Sequence, residues 1–237
     1  PDQVLRRRRR SAEGEIQEHS ERLETTDYKP EKRLPRSSMV NVNASGKLVA
    51  LACSTGGPKA LQQVIPKLPE NLDAAVVLVQ HMPVGFTASL SARLNEMSEI
   101  RVREAQDGEV LQKGTVYIAK GGSQMRVIEK NRHEFVLSVR EEGARNGLKP
   151  CADILYESLR KSSFEDITCV IMTGMGADGT KGILQLKETN KIYVIAQNAE
   201  SSTVYGMPKA IAESGAADEI KDLDLIADAI IKHVGVR

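Results

Sequence analysis

The chain has 237 residues, 41% of them hydrophobic and 27% charged, with a formal net charge of +1. Those proportions suit one water-soluble globular domain with a tail, and they exclude a polycation. No apolar run approaches the roughly 20 residues that span a bilayer. No signal-peptide pattern opens the chain either, so no membrane insertion is expected and the expected location is cytoplasmic. With no Trp and 3% aromatic residues, the chain offers no stacking platform for nucleic acid. Three cysteines, Cys53, Cys151 and Cys169, are odd in number and form no CxxC, which points away from a disulfide framework and from a zinc site. Cys151 and Cys169 read as small buried hydrophobes.

Residues 1–45 combine the run Arg6 to Arg10 with mixed charge and few large apolar side chains. Such a segment cannot bury enough surface to offset its ordering entropy, and it is predicted to be a disordered charged linker. The arginine run reads as a solvated linker cluster, with contact to nucleic acid or acidic lipid as the alternative. Because the chain opens on Pro1, a further domain is expected upstream.

From residue 46 the texture changes. LVALAC (48–53) is a short apolar run, followed by a helical pattern over 59–68. AAVVLVQ (74–80) is a second buried strand, and a helix follows over 87–97. TVYIAK (115–120) and EFVLSVR (134–140) are β-branched or alternating runs, and the turn-like NRH at 131–133 predicts a hairpin. CADILYESLRKS reads as a helix, ITCVIMT (167–173) as a buried strand, GTKGILQLKET as a helix and KIYVIAQ (191–197) as a strand. Two helices close the chain. Continuous apolar strands separated by helices predict an α/β fold: a doubly wound, mostly parallel sheet with helices on both faces, carrying an antiparallel hairpin insertion near 115–140.

In such folds chemistry gathers outside the carboxyl ends of the strands. The first strand ends in Ala52-Cys53-Ser54-Thr55-Gly56-Gly57, close to the G-x-S-x-G nucleophile elbow. A serine on a sharp strand-to-helix turn projects its hydroxyl, small neighbours admit substrate, and the helix N-terminus offers N–H groups to a developing oxyanion. Pro58 fits the first helical turn, where no backbone donor is needed. Alone, the segment also fits a tight Ser-Gly turn or an anion site. Cys53 is a rival nucleophile by adjacency. The second strand ends at His81, whereas His19, His133 and His233 sit away from strand ends. The strand over 167–173 leads into Gly174-Met175-Gly176-Ala177-Asp178-Gly179. Asp178 there is either a helix cap or the carboxylate that orients an imidazole. Together Ser54, His81 and Asp178 supply a nucleophile, a base and an orienting acid. The order Ser, His, Asp differs from that of α/β-hydrolases, chymotrypsin and subtilisin.

Gly174 to Gly179 is also a formal G-x-G-x-x-G between a strand and a helix, the dinucleotide fingerprint, with Glu200 as the acid that would meet a ribose. Asp178 would place a negative charge beside the pyrophosphate, and the motif is not on the first strand. Dinucleotide binding is the alternative to the esterase. A non-catalytic binding module is a third class.

STGGP (54–58), VQHMPVGFTASLSARL (79–94), MTGMGADGTKG (172–182) and AESSTVYGMPKAI (199–211) resemble the signature segments of the chemotaxis protein-glutamate methylesterases, the CheB family. The resemblance runs from about Lys47 to the C-terminus. It places the family's catalytic residues on Ser54, His81 and Asp178, and implies oxyanion contacts near Met175 with support from Thr55. Ala52-Cys53 departs from the glycine and small residue the family often shows. The resemblance implies that residues 46–237 are a methylesterase catalytic domain that needs no metal or cofactor. Its implied substrates are glutamate methyl esters, and also glutamines, on chemoreceptor cytoplasmic domains. An upstream receiver domain, not contained in this sequence, is implied as the regulatory partner.

Overall fold

A computed structural model describes residues 46–131 and 134–237. The expected linker over 1–45, with Arg6 to Arg10 and His19, lies outside the described residues, as does His133.

The strands in chain order are β1 (Lys47–Cys53), β2 (Ala74–Gln80), β3 (Arg101–Glu104), β4 (Thr115–Ile118), β5 (Gln124–Asn131), β6 (Glu134–Arg140), β7 (Asp166–Ile171), β8 (Ile192–Gln197) and β9 (Glu219–Lys221). Seven of them form one sheet in the order β3-β4-β2-β1-β7-β8-β9, while β5 and β6 pair as a separate antiparallel hairpin. Every neighbouring pair in the large sheet is parallel. The expected doubly wound fold is present, with two refinements. The segment TVYI is not part of the hairpin; it is β4, laid beside β2 in the parallel sheet. The edge strands β3 and β9 carried no strand signal, because RVRE and EIK are short and charged. An edge strand has one neighbour and needs few apolar positions, as Val102 illustrates by being the single buried residue of β3.

The helices are α1 (Gly57–Val64), α2 (Phe86–Met97), α3 (Ala152–Ser158), α4 (Thr180–Lys187), α5 (Met207–Glu213) and α6 (Leu223–Val234). α1 starts two residues before the expected position, with Pro58 in its first turn. It stops at Val64 and continues as a short 3-10 turn, Ile65–Lys67, because Pro66 has no N–H to extend an α-helical ladder.

Successive β1 side chains point to opposite faces, and both faces are covered. Leu48, Ala50 and Ala52 join a core with Leu155 and Tyr156 of α3, Ile183 and Leu186 of α4 and Met207 and Ile211 of α5. The hairpin closes this side through Met125, Val127, Phe135 and Leu137. Val49, Leu51 and Cys53 join the opposite core with Leu61 and Val64 of α1, Leu90 and Leu94 of α2 and Ile226 and Ile230 of α6. Burial on both faces explains why β1 and β2 read as unbroken apolar runs. Among the described residues no helix is long and apolar enough to cross a membrane.

Candidate active site

β1 is the central strand, and its neighbours β2 and β7 lie on opposite sides. The chain leaves β1 toward β2 and later returns to β1's other side with β7, so the winding direction reverses there. A crevice opens beyond the strand ends at such a switch point. Register aligns the three ends, with Cys53 opposite Gln80 and Ala52 opposite Ile171. The His81 N–H donates to the Cys53 carbonyl at 3.1 Å, and the Ser54 N–H donates to the Thr173 carbonyl at 2.9 Å. Ser54, His81 and the loop carrying Asp178 therefore leave the sheet side by side.

His81 Nε2 lies 2.7 Å from Asp178 Oδ2, and the two side chains are only 10% and 6% exposed. In so dry a setting the pair is weakly screened. The same Oδ2 also accepts the Ala152 N–H at 2.6 Å, while Oδ1 accepts the Asp153 N–H at 3.0 Å and the Cys151 thiol at 3.1 Å. Burial pushes the carboxyl up, but the hydrogen bonds from His81, Ala152, Asp153 and Cys151 outweigh it and hold Asp178 below the usual carboxylate range. Asp178 is thus both of the things its sequence context allowed: an acceptor for a helix start and a partner for an imidazole. The helix it accepts from is α3, however, and not the α4 that follows it in sequence. Cys151 is buried as expected, but it is a hydrogen-bond donor as well as a packed hydrophobe. Burial and the neighbouring Asp178 charge push its thiol up to about 12.

The Ser54 turn is fixed from three sides. Gln80, 1% exposed at the end of β2, donates from Nε2 to the carbonyls of Ser54 (3.0 Å) and His81 (2.9 Å). Its Oε1 accepts the Cys53 thiol at 3.1 Å. Burial drives the Cys53 thiol far above its ordinary range, so the rival nucleophile is protonated and turned into the core. Thr173 Oγ1 donates to the Thr55 carbonyl at 2.9 Å and accepts the Val204 N–H at 3.0 Å. Gly174 comes so near the serine that a Cβ on it would stand 2.8 Å from Ser54 Cβ and 2.4 Å from Met207 Sδ. The Gly174 N–H donates to the Val204 carbonyl, while its own carbonyl accepts from Gly206 and Met207. The segment 199–211 is therefore the brace behind the loop.

Among the described residues the Ser54 hydroxyl has no hydrogen-bond partner, and the Gln80 side chain joins the serine and histidine ends. Thr55 and Met175 are exposed beside the serine turn, Met175 at 76%. Their N–H groups have no acceptor among the described residues. Such open donors are what an oxyanion needs. Among the described residues no group of three or more His, Cys, Asp or Glu side chains is gathered as for a metal ion.

The dinucleotide alternative fails on the same loop. A pyrophosphate would need the first N–H groups of α4, but the Asp153 carboxylate already accepts from Gly179 (3.0 Å) and Gly182 (2.7 Å). A second anion there would meet both Asp153 and Asp178. Sequence reasoning passed over Gln80, Asp153, Thr173 and Gly174. Gln80 carried a signal, being a polar residue closing an otherwise apolar buried strand.

The sequence matches the CheB methylesterase family over residues 49–230. A protein-glutamate methylesterase/protein-glutamine glutaminase of Bacillus licheniformis is 48% identical over 200 residues, covering 84% of this chain and 55% of that protein. Its namesake in Bacillus subtilis is 46% identical over 201 residues, covering 84% and 56%. The crystal structure of the Thermotoga maritima CheB methylesterase catalytic domain is similar at a TM-score of 0.75 and 39% identity, covering 80% of this chain and all of that one. The chain spans about half the length of the curated relatives it matches. Sequence, fold and strand-end geometry converge, and the chain belongs to the CheB methylesterase family.

Proposed function

We propose that the chain is a serine esterase that removes methyl esters from glutamate side chains on chemoreceptor cytoplasmic domains, and that it also deamidates receptor glutamines. The observation that carries this reading is the 2.7 Å His81–Asp178 contact, set on the strand adjoining Ser54's. The names of the relatives, methylesterase and glutaminase, support the two substrates.

Ser54 Oγ attacks the ester carbonyl carbon while His81 Nδ1 takes the hydroxyl proton. The carbonyl oxygen gains the negative charge and is held by the N–H groups of Thr55 and Met175, each such donor being worth about 3 kcal/mol in the transition state. His81 then gives its proton to the departing methoxide, and methanol leaves. Water, deprotonated by the same nitrogen, attacks the acyl-enzyme carbonyl and releases Ser54 and a glutamate carboxylate. Asp178 holds the imidazole and stabilises its cation throughout. Residues 46–237 are the catalytic domain, acting in the cytoplasm where the receptor domain lies, and an upstream receiver domain governs access.

The test is methanol release from a methylated receptor cytoplasmic fragment. Wild type releases methanol, Ser54→Ala releases none and keeps its cooperative melting, and His81→Gln loses several orders of magnitude. Full activity in Ser54→Ala sinks the mechanism. A wild type that binds the fragment yet releases no methanol makes the chain a binding module.

A further inference from the structure

The three most exposed large apolar side chains among the described residues are Met175 (76%), Val84 (69%) and Phe86 (61%). All three belong to the chain just beyond β2 and β7, where His81 and Asp178 lie. Large apolar side chains gathered at one place on a surface mark a contact region, whereas single ones scattered elsewhere need no explanation. Val84 and Phe86 are also held out by a braced turn. The Phe86 N–H donates to the Pro83 carbonyl at 3.3 Å. A Cβ on Gly121 would stand 2.4 Å from the Pro83 carbonyl oxygen, and one on Gly122 would stand 2.4 Å from Val84 Cγ2, so the turn rests directly on these two glycines. Thr87 Oγ1 accepts the Gly121 N–H at 2.9 Å and donates to Glu104 Oε1 at 2.6 Å. A turn fixed in this way loses little freedom when a partner covers it.

The charges around this turn are of one sign. Lys120 leads into Gly121, and the Gly122 N–H beside Val84 donates to the Lys149 carbonyl at 3.2 Å. Among the described residues the ammonium groups of Lys120 and Lys149 have no ion-pair or hydrogen-bond partner, and neither do those of Lys59 and Lys181. Lys59 and Lys181 lie in the first turns of α1 and α4, the helix end where an acid is favoured and a cation is not. None of α1, α2, α4 and α5, which all start at this end of the sheet, has an acidic residue in its first turn. In the loops that follow β1, β2, β4, β7 and β8 the acidic residues are Asp178, which is bonded to His81, and the exposed Glu200. The loop before Lys149 adds the exposed Glu141 and Glu142, the latter held by Arg126 at 2.7 Å. Unpaired cations beside exposed apolar side chains fit a partner that is acidic and has an apolar face.

We propose that Val84, Phe86, Lys120 and Lys149 form the docking surface for the receptor segment that flanks the scissile ester, an acidic stretch with an apolar face. The apolar pair takes that face, and the two lysines take glutamate carboxylates near the reacting one. The proposal rests on the esterase reading of the site. That reaction supplies the complementary charge: each ester cleaved and each glutamine deamidated leaves a carboxylate, so the segment grows more acidic as its sites are processed. A basic rim therefore grips a segment with glutamates already freed more tightly than one that is fully methylated. Lys59 and Lys181 add to the attraction at longer range.

The experiment compares two substrates, a methylated receptor cytoplasmic fragment and a blocked single-residue glutamate γ-methyl ester that has no flanking segment. Two double variants are used, Val84→Ser with Phe86→Ser, and Lys120→Glu with Lys149→Glu. Each is expected to raise KM for the fragment at least about tenfold with kcat little changed, and to leave kcat/KM for the small ester within about twofold. High salt should erase the lysine effect and spare the apolar one. An unchanged KM for the fragment overturns the proposal, and so does an equal loss on both substrates, which would make these residues part of the site itself. Sedimentation that finds a wild-type dimer abolished by the Val84→Ser, Phe86→Ser variant assigns the surface to a second copy and overturns it too. So do variants that alter only the control exerted by an upstream domain in a longer chain. Binding of the demethylated fragment needs no turnover: the wild type should bind it more tightly than the methylated one, and both variants about tenfold more weakly than the wild type. That measurement tests the surface even where no methanol is released and the esterase reading has failed.

Discussion

His81 offers Nε2, not Nδ1, to Asp178. An ionised carboxylate can only accept, so the neutral ring carries its proton on Nε2, and the Nδ1 lone pair is the one the proposed mechanism assigns to Ser54. Serine-protease triads place the two nitrogens the other way round. Asp178 is pinned by the start of α3, and the imidazole meets it there through Nε2.

The tautomer is directly measurable. Long-range nitrogen–proton NMR at high pH is expected to find the His81 proton on Nε2. Asp178→Asn can turn an amide N–H toward Nε2, which favours the Nδ1–H form and presents a donor to Ser54. Activity should fall on the order of 10⁴-fold, as in other triads that lose the orienting carboxylate. An Nδ1–H tautomer in the wild type refutes the assignment of roles.

Gln80 joins the two strand ends, so its loss should act on catalysis before binding. Gln80→Leu strips a donor from the Ser54 and His81 carbonyls and an acceptor from the Cys53 thiol. A destabilisation of about 2 kcal/mol or more is expected. kcat should drop at least tenfold with KM nearly constant. An equal loss in KM alone would place Gln80 at the substrate surface instead.

Gly174→Ala drives a methyl group against Ser54 Cβ and Met207 Sδ. Overpacking of this kind costs about 1–3 kcal/mol. Here the pressure falls on Ser54, the proposed nucleophile, so kcat is expected to fall much more than thermal stability does. A variant that melts lower but keeps wild-type kcat would show that the serine turn gives way harmlessly.

Cys151 links the site to the pH dependence of stability. Asp178 is held below its usual range, so its contribution to stability is present above the ordinary carboxylate value of about 3.9 and is lost as pH falls through the lower folded value. Cys151→Ala removes one donor and shrinks that contribution, whereas Cys151→Ser keeps a donor. Urea unfolding at pH 7 should find the alanine variant weaker by about 1–2 kcal/mol and the serine variant close to wild type. The alanine deficit should narrow at pH values where Asp178 is protonated in both. A deficit that is constant with pH would trace it to lost packing.

Much of this was legible in the residues. The apolar runs of β1, β2, β7 and β8 are buried on both faces, and only such runs advertise themselves without an alternating pattern. Ser54, His81 and Asp178 could be singled out because they terminate such runs or follow them closely. β3 and β9 stayed hidden because a charged edge strand needs little apolar surface. The links that cross the fold stayed hidden as well: nothing local in 151–153 says that Asp153 caps a helix 27 residues later, or that Cys151 turns its thiol to Asp178. Those contacts exist only once α3 and α4 lie side by side.

The strand order has a consequence for how the molecule comes apart. β2, β1 and β7 are the three innermost strands, each screened from either edge of the sheet by at least two others. Local opening begins at edges, and here the edges are the short strands β3 and β9. Amide hydrogens of Leu51, Leu78 and Val170 should therefore exchange only when the whole domain opens, while those of Val102 and Ile220 exchange through cheap, partial excursions. Such fraying spends itself far from Ser54 and His81, so the foundations of the site outlast every partial unfolding short of the last.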